Sequence, residues 1–205
     1  MRPPREFGRA LLLAALAVSA LAASGRAQAT IRPGGSLRVE GDSSLHKWSS
    51  TATAISMTFR LDDGPTLPLA EAIKASRVRG LDVRIPVAGL KSGDSGLDRN
   101  LRKAMKAALF PDVVYVLGRY EATKGADDGV LTARAEGTLT IAGRTRPVVM
   151  DVEFRLGPEG AAVKGAYVLK MSDYGIKPPT LMLGAIKVRD PLTIRFDLFL
   201  KKPGE

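Results

Sequence analysis

Reactive side chains that could meet one another are scarce in this chain. It contains one histidine and no cysteine. Without thiols there is no disulfide, no thiolate metal site, no cysteine nucleophile, no covalent haem and no lipidated N-terminal cysteine. The single imidazole, His46, rules out a His-rich metal centre and a two-histidine acid–base pair. Ser43 and Ser44 precede His46, so a Ser-His-Asp set is formally available. The G-x-S-x-G elbow that exposes a nucleophilic serine above a sheet is nevertheless absent. The carboxylates are dispersed: Asp82, Asp94 and Asp98 do not follow the calcium-loop spacing, and Asp127-Asp128-Gly129 reads as a hairpin turn. Neither the dinucleotide nor the P-loop glycine pattern occurs. These residues predict a binding protein rather than an enzyme, with no metal and no covalent cofactor. His46 stands two residues before the only tryptophan, Trp48. The pair reads either as a hydrogen-bonded imidazole and packed indole at a strand start, or as a ligand contact.

Charge narrows the partner. The 205 residues carry 31 Lys plus Arg against 21 Asp plus Glu, a formal charge of +10. Some of this is an address. Arg2, Arg5 and Arg9 precede an apolar run from Ala10 to Ala23, and Ala27-Gln28-Ala29 supplies a small-x-small cleavage pattern. The run is shorter than the ~20 residues that span a bilayer. Residues 1–29 are therefore expected to be a cleaved signal peptide, leaving one domain over 30–205 that is periplasmic or secreted. Removing the leader leaves a charge of about +7. Export and an aromatic content of 5% argue against nucleic acid, which is read by basic surfaces interleaved with stacking rings.

The elements that must position these residues show a period of two. Val148, Met150, Val152, Phe154 and Leu156 alternate with polar neighbours, the mark of a strand with one buried face. Ile194 to Leu200 repeats the pattern. So do Ile55 to Leu61, Leu81 to Val87 and Val163 to Met171. With segments 36–42, 113–122 and 131–141 the count is about eight strands, joined by short turns such as Gly157-Pro158-Glu159-Gly160. Short turns favour antiparallel neighbours. The expectation is an all-β fold with one main helix: an antiparallel eight-stranded barrel, lipocalin-like, either just filled by side chains or holding one small ligand.

The main helix is expected from about Gly96 to Leu109, capped by Ser95 with Asp98 closing a capping box and Phe110-Pro111 ending it. Leu97, Leu101, Ala104, Met105 and Ala108 share one face and Arg99, Arg102, Lys103 and Lys106 the other. The helix reads as a plug on the barrel, and its outward cations could meet an anionic membrane surface. The segment Lys177 to Ile186 carries four large apolar residues, Leu181, Met182 and Leu183 between proline and glycine and Ile186 just after. It reads as a core-capping loop or as an apolar lid at a cavity mouth.

The ordered motifs resemble the YceI-like family. The most specific piece is Gly137-Thr138-Leu139-Thr140-Ile141-Ala142-Gly143-Arg144-Thr145-Arg146-Pro147, similar to the family's G-x-L-T-I-x-G-x-T-x-P hairpin. Ser44-Leu45-His46, Leu97-Asp98-Arg99-Asn100-Leu101 through Phe110-Pro111-Asp112-Val113, and Ser172-Asp173-Tyr174-Gly175-Ile176 support it over roughly residues 36 to 200. Met171-Ser172 stands where the family often has an arginine, and Thr51-Ala52-Thr53-Ala54-Ile55 replaces the usual G-x-F after the histidine. His46-Lys47-Trp48 accordingly looks like a divergent branch. The resemblance implies an exported lipocalin-like barrel, some members of the family binding isoprenoid lipids.

The expected ligand is an elongated apolar molecule, a polyisoprenoid lipid or isoprenoid quinone, held without chemistry. Trp48, Met57, Phe59, Phe110, Tyr115, Leu117, Tyr167, Met171 and Tyr174 are expected to contact its tail, and His46 its polar end. The rival is an envelope stress or interaction scaffold with a filled core and a basic helix meeting an acidic partner.

Overall fold

A computed structural model describes residues 27–61, 69–125, 127, 129–181 and 185–201. Among them run twelve strands and two helices. In chain order these are β1 (Ala27–Ile31), β2 (Gly34–Ser43), β3 (Trp48–Ala52), β4 (Ser56–Leu61), α1 (Leu69–Lys74), β5 (Val78–Pro86), β6 (Leu90–Lys91) and α2 (Ser95–Ala104). There follow β7 (Asp112–Lys124), β8 (Val130–Ile141), β9 (Arg144–Gly157), β10 (Gly160–Lys170), β11 (Thr180–Leu181) and β12 (Ile186–Lys201). Residues 1–26 of the expected leader lie outside the described residues; Ala27-Gln28-Ala29 forms the first part of β1.

All strand pairs are antiparallel, in the order β1-β4-β5-β7-β8-β9-β10-β12-β2-β3-β6, with β11 pairing only β12. The expected alternation is where the long strands form: β4 buries Met57, Phe59 and Leu61 and leaves the residues between half-exposed. The closed eight-stranded barrel is not found. Eleven strands curl into a half-barrel whose path ends at β1 and β6. The count falls short because β1, β3, β6 and β11 are two to five residues long, too short to show a period. Right-handed twist curls the sheet. Register shifts at Arg60/Leu61, Leu117/Arg119 and Val188/Leu192 add local bends.

A second helix was not expected from the sequence. Helix α1 has six residues, below the length at which an amphipathic period shows, yet it buries Ala72 and Ile73. Helix α2 is shorter than expected and is capped by Asp94, whose carboxylate accepts the Leu97 N–H at 2.7 Å. Asp98 instead accepts from the Ser92 amide and hydroxyl, at 2.8 and 2.7 Å. Those two bonds hold its carboxyl below the ordinary carboxylate range. A left-handed Lys106 (φ 53°) follows the last turn, and the Ala107 N–H reaches back to the Arg102 carbonyl.

The buried side chains form two apolar clusters. One gathers Met57, Phe59, Leu131 and Leu200 around α1. The other gathers Leu37, Leu139, Met171 and Tyr174, with Leu101 and Met105 of α2 packed on it. Ile55, Val83, Tyr115, Met150 and Phe196 touch both. The outer face carries cross-strand ion pairs, among them Arg119–Glu136, Lys164–Asp197 and Arg195–Glu40.

The segment 177–186 is partly ordered as a hairpin, because Thr180 and Leu181 pair with Lys187 and Ile186. Residues 182–184 lie outside the described residues.

Candidate functional site

Inside the curl lies a cavity of about 270 Å³. Inward side chains of the long strands form its walls, and it reaches both apolar clusters. Leu97, Leu101, Ala104 and Met105 of α2 contribute at one end, Ile73 of α1 at the other. Among the described residues, none that lines it is charged. The polar atoms on its wall are those of Asn100, the Trp48 indole and the tyrosines Tyr115, Tyr120, Tyr167 and Tyr174.

Large rings leave room here because several lie over glycines of neighbouring strands. A Cβ on Gly41 would meet the Trp48 indole, and one on Gly165 would meet the Phe196 ring. Both glycines are the register partners of those aromatics. Gly137 likewise accommodates the Tyr115 ring. A ring leaning over a glycine covers the sheet instead of crossing the interior, so the centre stays open.

Two side-chain donors on this wall, Trp48 Nε1 and the Tyr115 hydroxyl, are buried without a hydrogen-bond partner. A buried donor left unpaired costs about 1–3 kcal/mol. Burial pushes the Tyr115 phenol up to about 12. Tyr174 is also pushed to about 12, mainly by burial, with Tyr167 and Asp173 adding to the effect and Arg146 opposing it. Both phenols therefore stay protonated at neutral pH and act as uncharged donors. The arrangement can bury an apolar molecule, because the surface turned to the cavity is almost wholly apolar. Among the described residues of its wall there is no cation to stabilise an ionised group inside.

The structure brings eight of the sequence-derived contact residues onto this wall: Trp48, Met57, Phe59, Tyr115, Leu117, Tyr167, Met171 and Tyr174. His46 and Phe110 are elsewhere. His46 is exposed, and its Nδ1 lies 2.9 Å from the Lys47 carbonyl oxygen. Phe110 is 37% exposed, with its ring against Gly143. Sequence reasoning missed as wall residues Met150, Phe154, Ile194 and Phe196, and the inner face of α2 including Asn100. Their period-two and three-to-four spacings were legible; that they face open space was not. Pro179 and Ile176, flanking the expected lid, also line the cavity.

A family model described as a YceI-like domain matches residues 35–200. No curated protein matches the chain by sequence. Solved structures do resemble it in fold. BcnA of Burkholderia cenocepacia is 15% identical, with a TM-score of 0.59 over 80% of this chain and 96% of its own. A polyisoprenoid binding domain from Saccharophagus degradans, implicated in plant cell wall breakdown, is 13% identical, with a TM-score of 0.64 over 86% of this chain and 99% of its own. The Campylobacter jejuni YCEI protein is 22% identical, with a TM-score of 0.56 over 76% of this chain and 85% of its own.

Proposed function

Since the chain belongs to the YceI-like family, we propose that it is an exported, non-catalytic binding protein that holds an elongated apolar ligand, a polyisoprenoid lipid or isoprenoid quinone. The observation that carries this reading is the charge-free cavity reaching from the α1 cluster to the α2 cluster. The name of the Saccharophagus degradans domain, a polyisoprenoid binding domain of like fold, supports the ligand class. The basic, apolar and small residues at positions 2–29 support export.

The energetics favour occupancy. At ~24 cal/mol per Å³, an unfilled cavity of this size forgoes on the order of 6 kcal/mol of packing. A ligand of matching shape recovers that and adds about 25 cal/mol for each Å² of its own apolar surface taken from water.

The test is native mass spectrometry of the protein purified from its own envelope, followed by solvent extraction and lipid identification. A stoichiometric extra mass that extracts into solvent is the expected result. A bare protein mass, with no uptake of polyprenyl phosphates or quinones on incubation, overturns the reading in favour of a scaffold.

A further inference from the structure

Several cations on the outer face of the sheet are matched by carboxylates on the next strand, as in Arg119–Glu136, Arg134–Asp151, Lys164–Asp197 and Arg195–Glu40, while others, such as Arg38 and Lys170, are exposed outside the ion pairs found among the described residues. At the α2 end four such cations gather around two exposed apolar side chains. Lys103, Lys106, Arg144 and Arg146 are exposed and enter none of the ion pairs found among the described residues. Arg146 donates instead to the Asp173 carbonyl at 2.9 Å.

Two large apolar side chains sit among these cations. Leu109 is 73% exposed and Phe110 37%. One exposed leucine is ordinary, but here the backbone holds the pair outward. The left-handed Lys106 turns the chain, and its carbonyl accepts the amides of both Leu109 and Phe110, at 2.9 and 3.0 Å. The Phe110 ring rests on Gly143, in the turn between β8 and β9, and the Arg144 guanidinium lies over Gly175. The tail of α2, the β8–β9 turn and the turn after Tyr174 thus form one continuous surface. Its inner side is cavity wall, since Met105, Met171, Tyr174 and Ile176 all line the cavity.

We propose that this surface docks on an anionic lipid bilayer, Leu109 and Phe110 entering the headgroup region while Lys103, Lys106, Arg144 and Arg146 meet lipid phosphates. Apolar side chains ringed by cations bind such interfaces by adding buried area to electrostatic attraction. A bilayer is the partner that satisfies both halves of the patch at once. Docking there sets the α2 end of the cavity against lipid, the phase from which an apolar ligand comes. The inference goes beyond the ligand reading, and its readout needs no bound ligand.

The test is co-sedimentation with vesicles of phosphatidylcholine alone, or of phosphatidylcholine and phosphatidylglycerol, using protein from cells expressing the full chain, its N-terminal residue determined. The expected result is binding to the anionic vesicles, weakened by added salt, and little to neutral ones. Lys103→Gln and Lys106→Gln should each weaken it about fivefold, and together roughly 25-fold. Leu109→Ser should weaken it as well. Lys164→Gln, on the paired sheet face, should bind as the parent does. Circular dichroism checks the fold of each variant. Equal binding to both vesicles, no binding to either, or parent-like binding by the Lys103→Gln/Lys106→Gln pair overturns the proposal, including where the patch captures an acidic protein instead.

Discussion

The Tyr115 hydroxyl reaches over Gly137 of the neighbouring strand so closely that a Cβ there would stand 2.8 Å from its oxygen. Such a Cβ would come nearer still to the Val116 carbonyl oxygen, so glycine at 137 serves both the close pairing of β7 with β8 and the lie of Tyr115 along the wall. Gly137→Ala should press its methyl on the Val116 carbonyl as well as on the ring, cost about 1–3 kcal/mol of stability and, by driving the ring towards the cavity centre, lower ligand retention. Urea unfolding of the ligand-free protein and lipid extraction read the two effects separately. Full retention in the variant would show that the glycine does not set the space.

Tyr115→Phe removes a buried donor that has no partner in the protein. The ligand-free protein should lose no stability and could gain up to about 1 kcal/mol. Affinity for a ligand with a carbonyl acceptor and for a pure hydrocarbon of equal length should both stay as in the parent, because the hydroxyl is buried away from the almost wholly apolar cavity surface. Equilibrium binding of the two ligands to parent and variant decides it.

Ala135 is buried on the cavity wall. Ala135→Leu should place its added carbons in open space, raising ligand-free stability by about 1–2 kcal/mol while displacing ligand. A filled interior would give the opposite sign, an overpacking loss of about 1–3 kcal/mol, in the same unfolding experiment.

Trp48, the only tryptophan, lines the cavity, so its emission should shift on ligand uptake. His46, exposed and turned to the Lys47 carbonyl, lies off the wall. His46→Ala should leave both the shift and the affinity within about twofold, a tolerance set by the small effect of most surface changes. A tenfold loss would return the imidazole to the site.

The phenols make an alkaline prediction. Burial raises Tyr115 and Tyr174 from 10.0 to about 12, and Tyr120 is raised too. The folded chain therefore keeps protons that the unfolded chain releases. This contribution is complete below pH 10 and is lost as pH climbs towards 12. Tyrosinate absorbance should lag the ordinary titration and then rise together with loss of circular dichroism. A full tyrosinate signal in a still-folded protein near pH 10 would mean the phenols are not buried.

Much of the fold was legible because period-two burial was written plainly into the long strands. Val148 to Leu156 in β9 and Ile194 to Leu200 in β12 each turn one face inward. β3 was hidden by composition: its buried Ser50 is polar, so no apolar rhythm marks it. At α2 both Asp94 and Ser95 are cap-forming types, and the choice fell to Asp94 because Asp98 is engaged by Ser92. The cavity itself was not legible. Whether an inward face packs or lines a void depends on which residue lies across the strand, as Gly41 does for Trp48 and Gly165 for Phe196. Such pairings join distant parts of the chain, beyond the reach of any local pattern.

The adjacency of β2 and β12 sets a schedule for folding. Leu37 lies opposite Phe196, and Val39 opposite Ile194. Consecutive strands from β7 to β10 can zip up through short turns as they are made, and β2 can pair with β3 at once, whereas the other edge of β2 must wait for almost the whole chain before β12 exists. Non-local pairings of this kind are slow, because loop closure precedes any reward. A nascent chain therefore carries an unfinished meander with its apolar side wet, open to aggregation until its last strand arrives. The pocket is born late: it has no complete wall until residues 186–201 have emerged and found β2.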